Sequence, residues 1–362
     1  MKIPLSRPNL SPSAWEKVKA CLDTAWISSA GPAVGEFESQ MAQRLGSPYA
    51  VAVQSGTAAL HLALRALNIQ PGDQVALPNL GFIASANAVR YVGATPVLID
   101  VDPVYWQLDT NLLKDYLKTP AGRKVKAVMV VHLLGYMGHL PALADLLRQY
   151  DIPLIEDAAE AVGSTYQGKA LGTFGDIGVL SFNGNKILTT GGGGMALTRD
   201  ESLAQRIRHL SQQAKSDPHA YWHDDLGYNY RMTNLAAALG LAQLEALPQA
   251  LADHRSLYGL YQPFFDAKEM PGIFPDSLPN HWLVSGLVSQ PDTLREQLAA
   301  VGIQTRRIFP AIHLQKCFRE APYIQQGNLS TYLSNHALSF PTFSGMTQEE
   351  QAYLKEKLSA LL

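Results

Sequence analysis

Short apolar runs and amphipathic stretches alternate along the first two-thirds of the chain. Residues 49–53 (YAVAV), 74–77, 96–100, 126–131, 152–155, 177–182 and 194–198 read as short strands that are apolar on both faces. Helical spacing appears between them at 57–67 (TAALHLALRAL), 84–91, 111–117 and 141–150, and again from Glu201. Buried strands separated by amphipathic helices predict an α/β fold, a mostly parallel sheet covered on both faces. In such a sheet the helix N-termini gather at the carboxyl ends of the strands, where ligands bind. Residues 235–247 are strongly helical, Pro248 is expected to break that helix, and a second helix should run to about Tyr261. The last hundred residues carry shorter elements and many prolines, which suggests a smaller α/β lobe. The expected division is a large domain over 1–250, including an N-terminal substrate-side segment, and a small domain over 251–362.

Composition narrows the classes. Hydrophobic residues make up 47% of 362, enough for a sizeable core. Lys and Arg (29) nearly balance Asp and Glu (31), which argues against a nucleic-acid surface or a polybasic membrane patch. Cys21 and Cys317 are far apart, and neither a CxxC pair nor an HExxH occurs, so no metal site or disulfide framework is expected. The first residues (MKIPLSRPNLSPSAWEKV) lack the apolar run of a signal peptide. The longest apolar stretch, 127–144, contains two histidines, two glycines and a proline and suits buried elements better than a membrane span. A soluble cytoplasmic enzyme is the expectation.

Glycine-rich loops raise nucleotide binding first. Residues 163–170 (GSTYQGKA) satisfy GxxxxGK but end in Ala170, which has no hydroxyl for a magnesium ion, and a GxGxxG fingerprint is absent. A better candidate is Ser55-Gly56-Thr57, a small turn between a strand and a helix, where free N–H groups and two hydroxyls can hold a phosphate. Asp157 ends an apolar run about a hundred residues later. Ser181-Phe182 and then Lys186 follow, the lysine beside apolar Ile187, where partial desolvation would suit a Schiff-base nucleophile. Each signal alone has an ordinary explanation: a helix cap, a strand-end carboxylate, a surface lysine. Their order and spacing together suit pyridoxal phosphate, which needs an anion site, a carboxylate for its pyridine nitrogen, a lysine for its aldehyde and an aromatic ring for stacking. Phe82 is available for the last.

SGTAALHLALRAL, IEDAAEAVGS, FGDIGVLSFNGNK and GYNYRMTN together resemble the DegT/DnrJ/EryC1/StrS family of nucleotide-sugar aminotransferases, over nearly the whole chain from about Pro4. The resemblance implies the type I aminotransferase fold, a homodimer with shared active sites, and pyridoxal 5′-phosphate that passes through its pyridoxamine form. It implies that Lys186 is the Schiff-base lysine and Asp157 the partner of the pyridinium nitrogen. Gly56, Thr57 and Ser181 would bind the phosphate, Asn229 would reach it from the neighbouring subunit, and Phe82 would stack on the ring. Glu160 stands where most members have Gln, close to the cofactor hydroxyl. An acid there, with WISSAGPAVGEFE and SFNGNKILTTGGGGM, resembles the branch that makes 4-amino-4,6-dideoxy sugars, including perosamine synthases and the legionaminate and bacillosamine aminotransferases. Trp26, Arg231 and His313 are the expected substrate-side residues. The implied partners are L-glutamate and a 4-keto-6-deoxy nucleotide sugar, UDP- or GDP-linked, with a lean towards a 2-acetamido group. Amination at C3 is one alternative. A sugar dehydratase of the same superfamily is the other, but it would need Lys186 replaced, typically by His.

Overall fold

The computed structural model describes residues 1–217 and 219–362. Its centre is an eight-stranded sheet. We number the strands β1 (Tyr49–Val53), β2 (Gln74–Pro78), β3 (Thr95–Ile99), β4 (Val125–Val131), β5 (Leu154–Asp157), β6 (Ile177–Ser181), β7 (Gly194–Thr198) and β8 (Tyr323–Ile324). Their spatial order is β1-β7-β6-β5-β4-β2-β3-β8, and all neighbours are parallel except β7, which runs against both β1 and β6. This is the α/β, mostly parallel architecture expected. Strand β5 begins two residues later than its apolar run. Pro153 has no N–H for the ladder, so it stays outside the strand, although its carbonyl still accepts from Val128 N at 3.0 Å.

The strands are buried on both faces with a period of two. Ala50 and Ala52 join one core with helices α1 (Ser13–Asp23) and α2 (Pro32–Leu45), whereas Val51 and Val53 join the other beneath α3 (Gly56–Ala66) and α4 (Ala84–Tyr91). Helices α5 (Thr110–Leu117) and α6 (Leu140–Tyr150) cover the first face and α7 (Glu201–Ser211) the second. The expected break at Pro248 does not occur: α8 is one helix, Asn234–Tyr261. Pro248 lies on the exposed side, while Leu241, Leu244, Leu247, Ala250, Leu251 and Leu257 are buried along the helix. Packing of that apolar face overrides the lost backbone hydrogen bond. By length and composition α8 could also cross a membrane, but here it packs against α1 and α2.

A further core gathers Leu257, Tyr261, Val284, Leu298, Phe340, Leu354 and Leu358 with Ile3 from the chain start. Beside it, Ser285–Leu287, Ala337–Ser339 and Arg306–Arg307 form a small antiparallel sheet. The C-terminal region also completes the central sheet. Leu98 N donates to Pro322 O at 2.8 Å and Asp100 N to Ile324 O at 2.9 Å, so β8 covers the edge of β3. Asp100 in turn accepts from Leu329 N and Ser330 N, at 2.9 and 2.8 Å, at the start of the helix Leu329–His336.

Candidate active site

Residues at the carboxyl ends of β1, β4, β5 and β6 line a cleft of about 480 Å³. From β1 the chain turns directly into α3. Ser55 caps this helix, its Oγ accepting from Ala58 N at 3.0 Å. Gly56 and Thr57 follow, in the first turn, where backbone N–H groups have no partner within the helix. Ser181, at the end of β6, closes the cradle: a Cβ on Gly56 would lie 3.0 Å from Ser181 Cβ, so the glycine admits the close approach. Gly192 and Gly193 form another wall, and a Cβ on Gly194 would lie 2.3 Å from the Ser55 carbonyl carbon. The donors and free volume fit a phosphate.

Asp157 sits at the end of β5, buried, and accepts from Ser85 Oγ at 2.5 Å and from Ala159 N at 3.2 Å. Burial pushes its carboxyl up, opposed by these hydrogen bonds and by the nearby Lys186. Its neighbour Glu156 points away from the cleft. Glu156 Oε2 meets His132 Nε2 at 2.8 Å, and the carboxylate accepts from the N–H groups of Gly172, Phe174 and Gly175. Burial works against the Glu156 charge, but His132 and these donors together hold its carboxyl below the usual range. The strand end therefore carries two buried acids, one locked in the scaffold and one facing the cleft.

Glu160 follows in the next turn. Its Oε2 accepts from Leu134 N at 2.7 Å, a donor aimed by a left-handed residue (φ 59°). Its Oε1 lies 3.5 Å from Lys186 Nζ. Lys186 itself is set in a turn, its N–H donating to Asn183 O at 3.0 Å. Burial pushes the lysine amine down, opposed mainly by Glu160 and Asp157, and burial pushes Glu160 up. The two groups thus hold their proton affinities closer together than in water, which suits proton exchange. Trp282 lies over the lysine, its ring centroid 3.7 Å from Nζ.

Of the residues expected from sequence, the cleft brings together Ser55, Gly56, Thr57, Phe82, Asp157, Glu160, Ser181 and Lys186. Phe82 is exposed at the mouth, 5.5 Å from the ring of Phe309. Trp26, Asn229, Arg231 and His313 do not line it. Trp26 and Asn229 are exposed, and Arg231 bridges to Val53 with its Nε buried and unpaired. His313 Nδ1 lies 2.8 Å from Asn79 Nδ2, and its ring stacks on Tyr323. Sequence reasoning missed Ser85, Trp282, Arg306 and Phe309. Only for Arg306 was there a local signal: in Arg306–Arg307 strand alternation sends Arg307 to one side, to Asp292 at 2.6 Å, and Arg306 to the other, where it lines the open cleft. Among the described residues Arg306 has no carboxylate partner, and its guanidinium lies 5.6 Å from the centroid of Phe309.

The GSTYQGKA segment forms no nucleotide loop: Thr165–Tyr166 and Lys169–Ala170 pair as a small hairpin. Among the described residues no cluster of three or more His, Cys, Asp or Glu side chains is placed to hold a metal.

A family model described as the DegT/DnrJ/EryC1/StrS aminotransferase family matches residues 9–359. The chain is similar to the GDP-perosamine synthase of Escherichia coli O157:H7, at 38% identity over 99% of this chain and 98% of that protein. It is also similar to the GDP-perosamine synthase of Caulobacter vibrioides, at 39% identity over 96% of this chain and 95% of that protein. Among solved structures, the aminotransferase TlmJ from Streptoalloteichus hindustanus superimposes with a TM-score of 0.91 at 29% identity, covering 99% of this chain and 98% of that one.

Proposed function

Since the chain belongs to the DegT/DnrJ/EryC1/StrS aminotransferase family and is a pyridoxal-phosphate-dependent sugar aminotransferase, we propose that it transfers the amino group of L-glutamate to C4 of a nucleotide-linked 4-keto-6-deoxy sugar. The observation that carries this reading is the cluster of two buried acids, Asp157 and Glu160, with the half-buried Lys186, whose Nζ lies 3.5 Å from Glu160. Two relatives named for a GDP-linked product favour GDP as the first carrier to test. The product would be a 4-amino-4,6-dideoxy sugar of the kind used in surface polysaccharides.

Pyridoxal phosphate, when bound, supplies an electron sink and a carbon that carries nitrogen from donor to acceptor. The chain supplies the rest. Ser55, Gly56, Thr57 and Ser181 would hold the phosphate through hydroxyls and the N-terminal N–H groups of α3. Asp157 would keep a proton on the ring nitrogen, Phe82 would cover the ring, and Glu160 would lie by its hydroxyl. Lys186, as a free amine, would take a proton from the donor Cα as base and, as an ammonium, give it up as acid on the far side of the transferred nitrogen. The same shuttle in reverse would place a proton on the sugar carbon that receives the nitrogen.

We place this chemistry in a cytoplasmic homodimer in which Asn229 of the partner subunit reaches the phosphate. Its exposure outside the cleft of its own chain accords with that role. Residues 1–250 would bind the cofactor and 251–362 form the smaller domain, with the division falling inside α8. The test is an assay of purified enzyme with L-glutamate and GDP- or UDP-linked 4-keto-6-deoxy sugars, with the product located by NMR. An amine at C4, and loss of all turnover in Lys186→Ala, are expected. Normal turnover by Lys186→Ala, or amination at C3, would overturn the assignment.

A further inference from the structure

Asn280, His281 and Trp282 form a buried strap that reaches the cleft from the C-terminal third of the chain. Asn280 Nδ2 donates to the carbonyls of Glu160 and Val162, at 2.8 and 3.0 Å. Asn280 N donates to Ser164 Oγ at 2.9 Å, and its Oδ1 accepts from Trp282 N at 2.9 Å. Gly135 makes room for it, since a Cβ there would lie 1.8 Å from Asn280 Oδ1. His281 adopts φ 52°. Its Nδ1 lies 2.8 Å from Tyr136 OH, its carbonyl lies 3.0 Å from His254 Nδ1, and its ring stacks on Tyr258 at 3.9 Å. A left-handed backbone at a bulky residue persists only where its surroundings over-determine it.

The strap delivers one side chain. Trp282, 2% exposed, donates Nε1–H to Asn185 O at 2.8 Å and lays its ring 3.7 Å from Lys186 Nζ. It therefore grips the residue before the lysine and the lysine head at once. Resting on the aminotransferase reading, we propose that Trp282 is a positioning residue for Lys186 that holds its amine as an ammonium whenever the lysine carries the shuttled proton.

The chemistry explains why a ring serves here where a third carboxylate, beside Glu160 and Asp157, would not. Lys186 must gain a proton and then release it, so a partner that bound the proton tightly would stall the shuttle. An aromatic face attracts a cation through its quadrupole, has no proton affinity to compete, and tolerates the neutral amine. The charged groups facing Lys186 are Asp157 at the end of β5, Glu160 just after it and Arg306 from the small sheet. A separate small cavity, lined in part by Arg7 and His254, also reaches Lys186. The two acids favour the ammonium and Arg306 opposes it, leaving the indole as a neutral holder.

The test uses cofactor-free protein, so its outcome is independent of turnover. Competitive arylation of amines across a pH series, with the Lys186 peptide quantified by mass spectrometry, gives the midpoint at which Lys186 loses its proton. Trp282→Leu should lower that midpoint by about half to one pH unit, and Trp282→Phe, which keeps a ring face, by less than about 0.3. In the unsubstituted protein an indole difference absorbance should titrate with the same midpoint and vanish in Lys186→Ala; this measurement decides the matter if Trp282→Leu does not fold. Coincident midpoints for wild type and Trp282→Leu, or an indole signal that persists in Lys186→Ala, would overturn the proposal. Failure to bind added pyridoxal phosphate would instead count against the aminotransferase reading.

Discussion

Ser85 donates its hydroxyl to Asp157 Oδ2 at 2.5 Å, across 72 positions of sequence, and both side chains are buried. Burial already raises the Asp157 carboxyl, and this hydrogen bond works in the opposite direction. In Ser85→Ala the carboxylate loses a charge-assisted partner and its proton affinity rises further. The role proposed for Asp157 needs its ionised form, so the acid limb of kcat/KM should move to higher pH, by about one unit or more. An acid limb identical to that of wild type would contradict this role.

The glycines at the cradle separate binding from folding. Gly56→Ala puts a methyl 3.0 Å from Ser181 Cβ, and the serine can give way slightly. The variant should fold but bind pyridoxal phosphate roughly tenfold more weakly, as measured by cofactor titration. Gly194→Ala instead meets the Ser55 backbone at 2.3 Å, in a buried strand paired on both sides. It should lose about 1–3 kcal/mol of stability, visible as a fall of several degrees in Tm.

Arg306 brings to the cleft a guanidinium that has no carboxylate partner among the described residues, beside the Phe82–Phe309 pair. The proposed donor carries carboxylates and the proposed acceptor a diphosphate, and both are anions. Arg306→Gln should raise the KM of one of them about tenfold or more while changing kcat less. Steady-state kinetics with each substrate varied in turn identifies which, and unchanged KM values for both would remove Arg306 from the binding surface.

His281 makes the fold sensitive to acid. Burial, then the neighbouring His254 and Arg255, push its ring from 6.5 down to about 3. Below pH 6.5 the unfolded chain takes up a proton that the native ring refuses, so stability falls as pH drops from 6.5 towards 3. The slope from this one group approaches about 1.4 kcal/mol per pH unit. His281→Gln should show a shallower decline when urea unfolding is followed across that window. Parallel declines would show that the ring does not titrate on unfolding.

The central sheet and half of the site were legible in the sequence because their signals are local. YAVAV followed by Ser-Gly-Thr, and Leu-Ile-Glu-Asp at a strand end, each put the chemistry within a few residues of the element that positions it. Ser85, Trp282 and Phe309 carry no such signal. Trp282 and Phe309 reach the cleft, and Ser85 the buried Asp157, by tertiary packing, and an isolated serine or tryptophan looks the same in a core as beside a catalytic group. Pro248 misled for the same reason. Its local preference is real, but burial along the rest of α8 outweighs it. Trp26, Asn229, Arg231 and His313 rested on resemblance, and the cleft of one chain does not gather them.

The pairing of β8 with β3 has a consequence for biosynthesis. Chain emerging from the ribosome would contain β1 to β7 long before Tyr323 and Ile324 exist, leaving the apolar strand TPVLI with an unpaired edge. Asp100 likewise waits for Ser330, 230 positions later, to supply its buried N–H partner. A nascent or truncated chain ending before residue 323 is therefore open to edge-to-edge association, and the interval before the last forty residues appear is when a chaperone would protect it most.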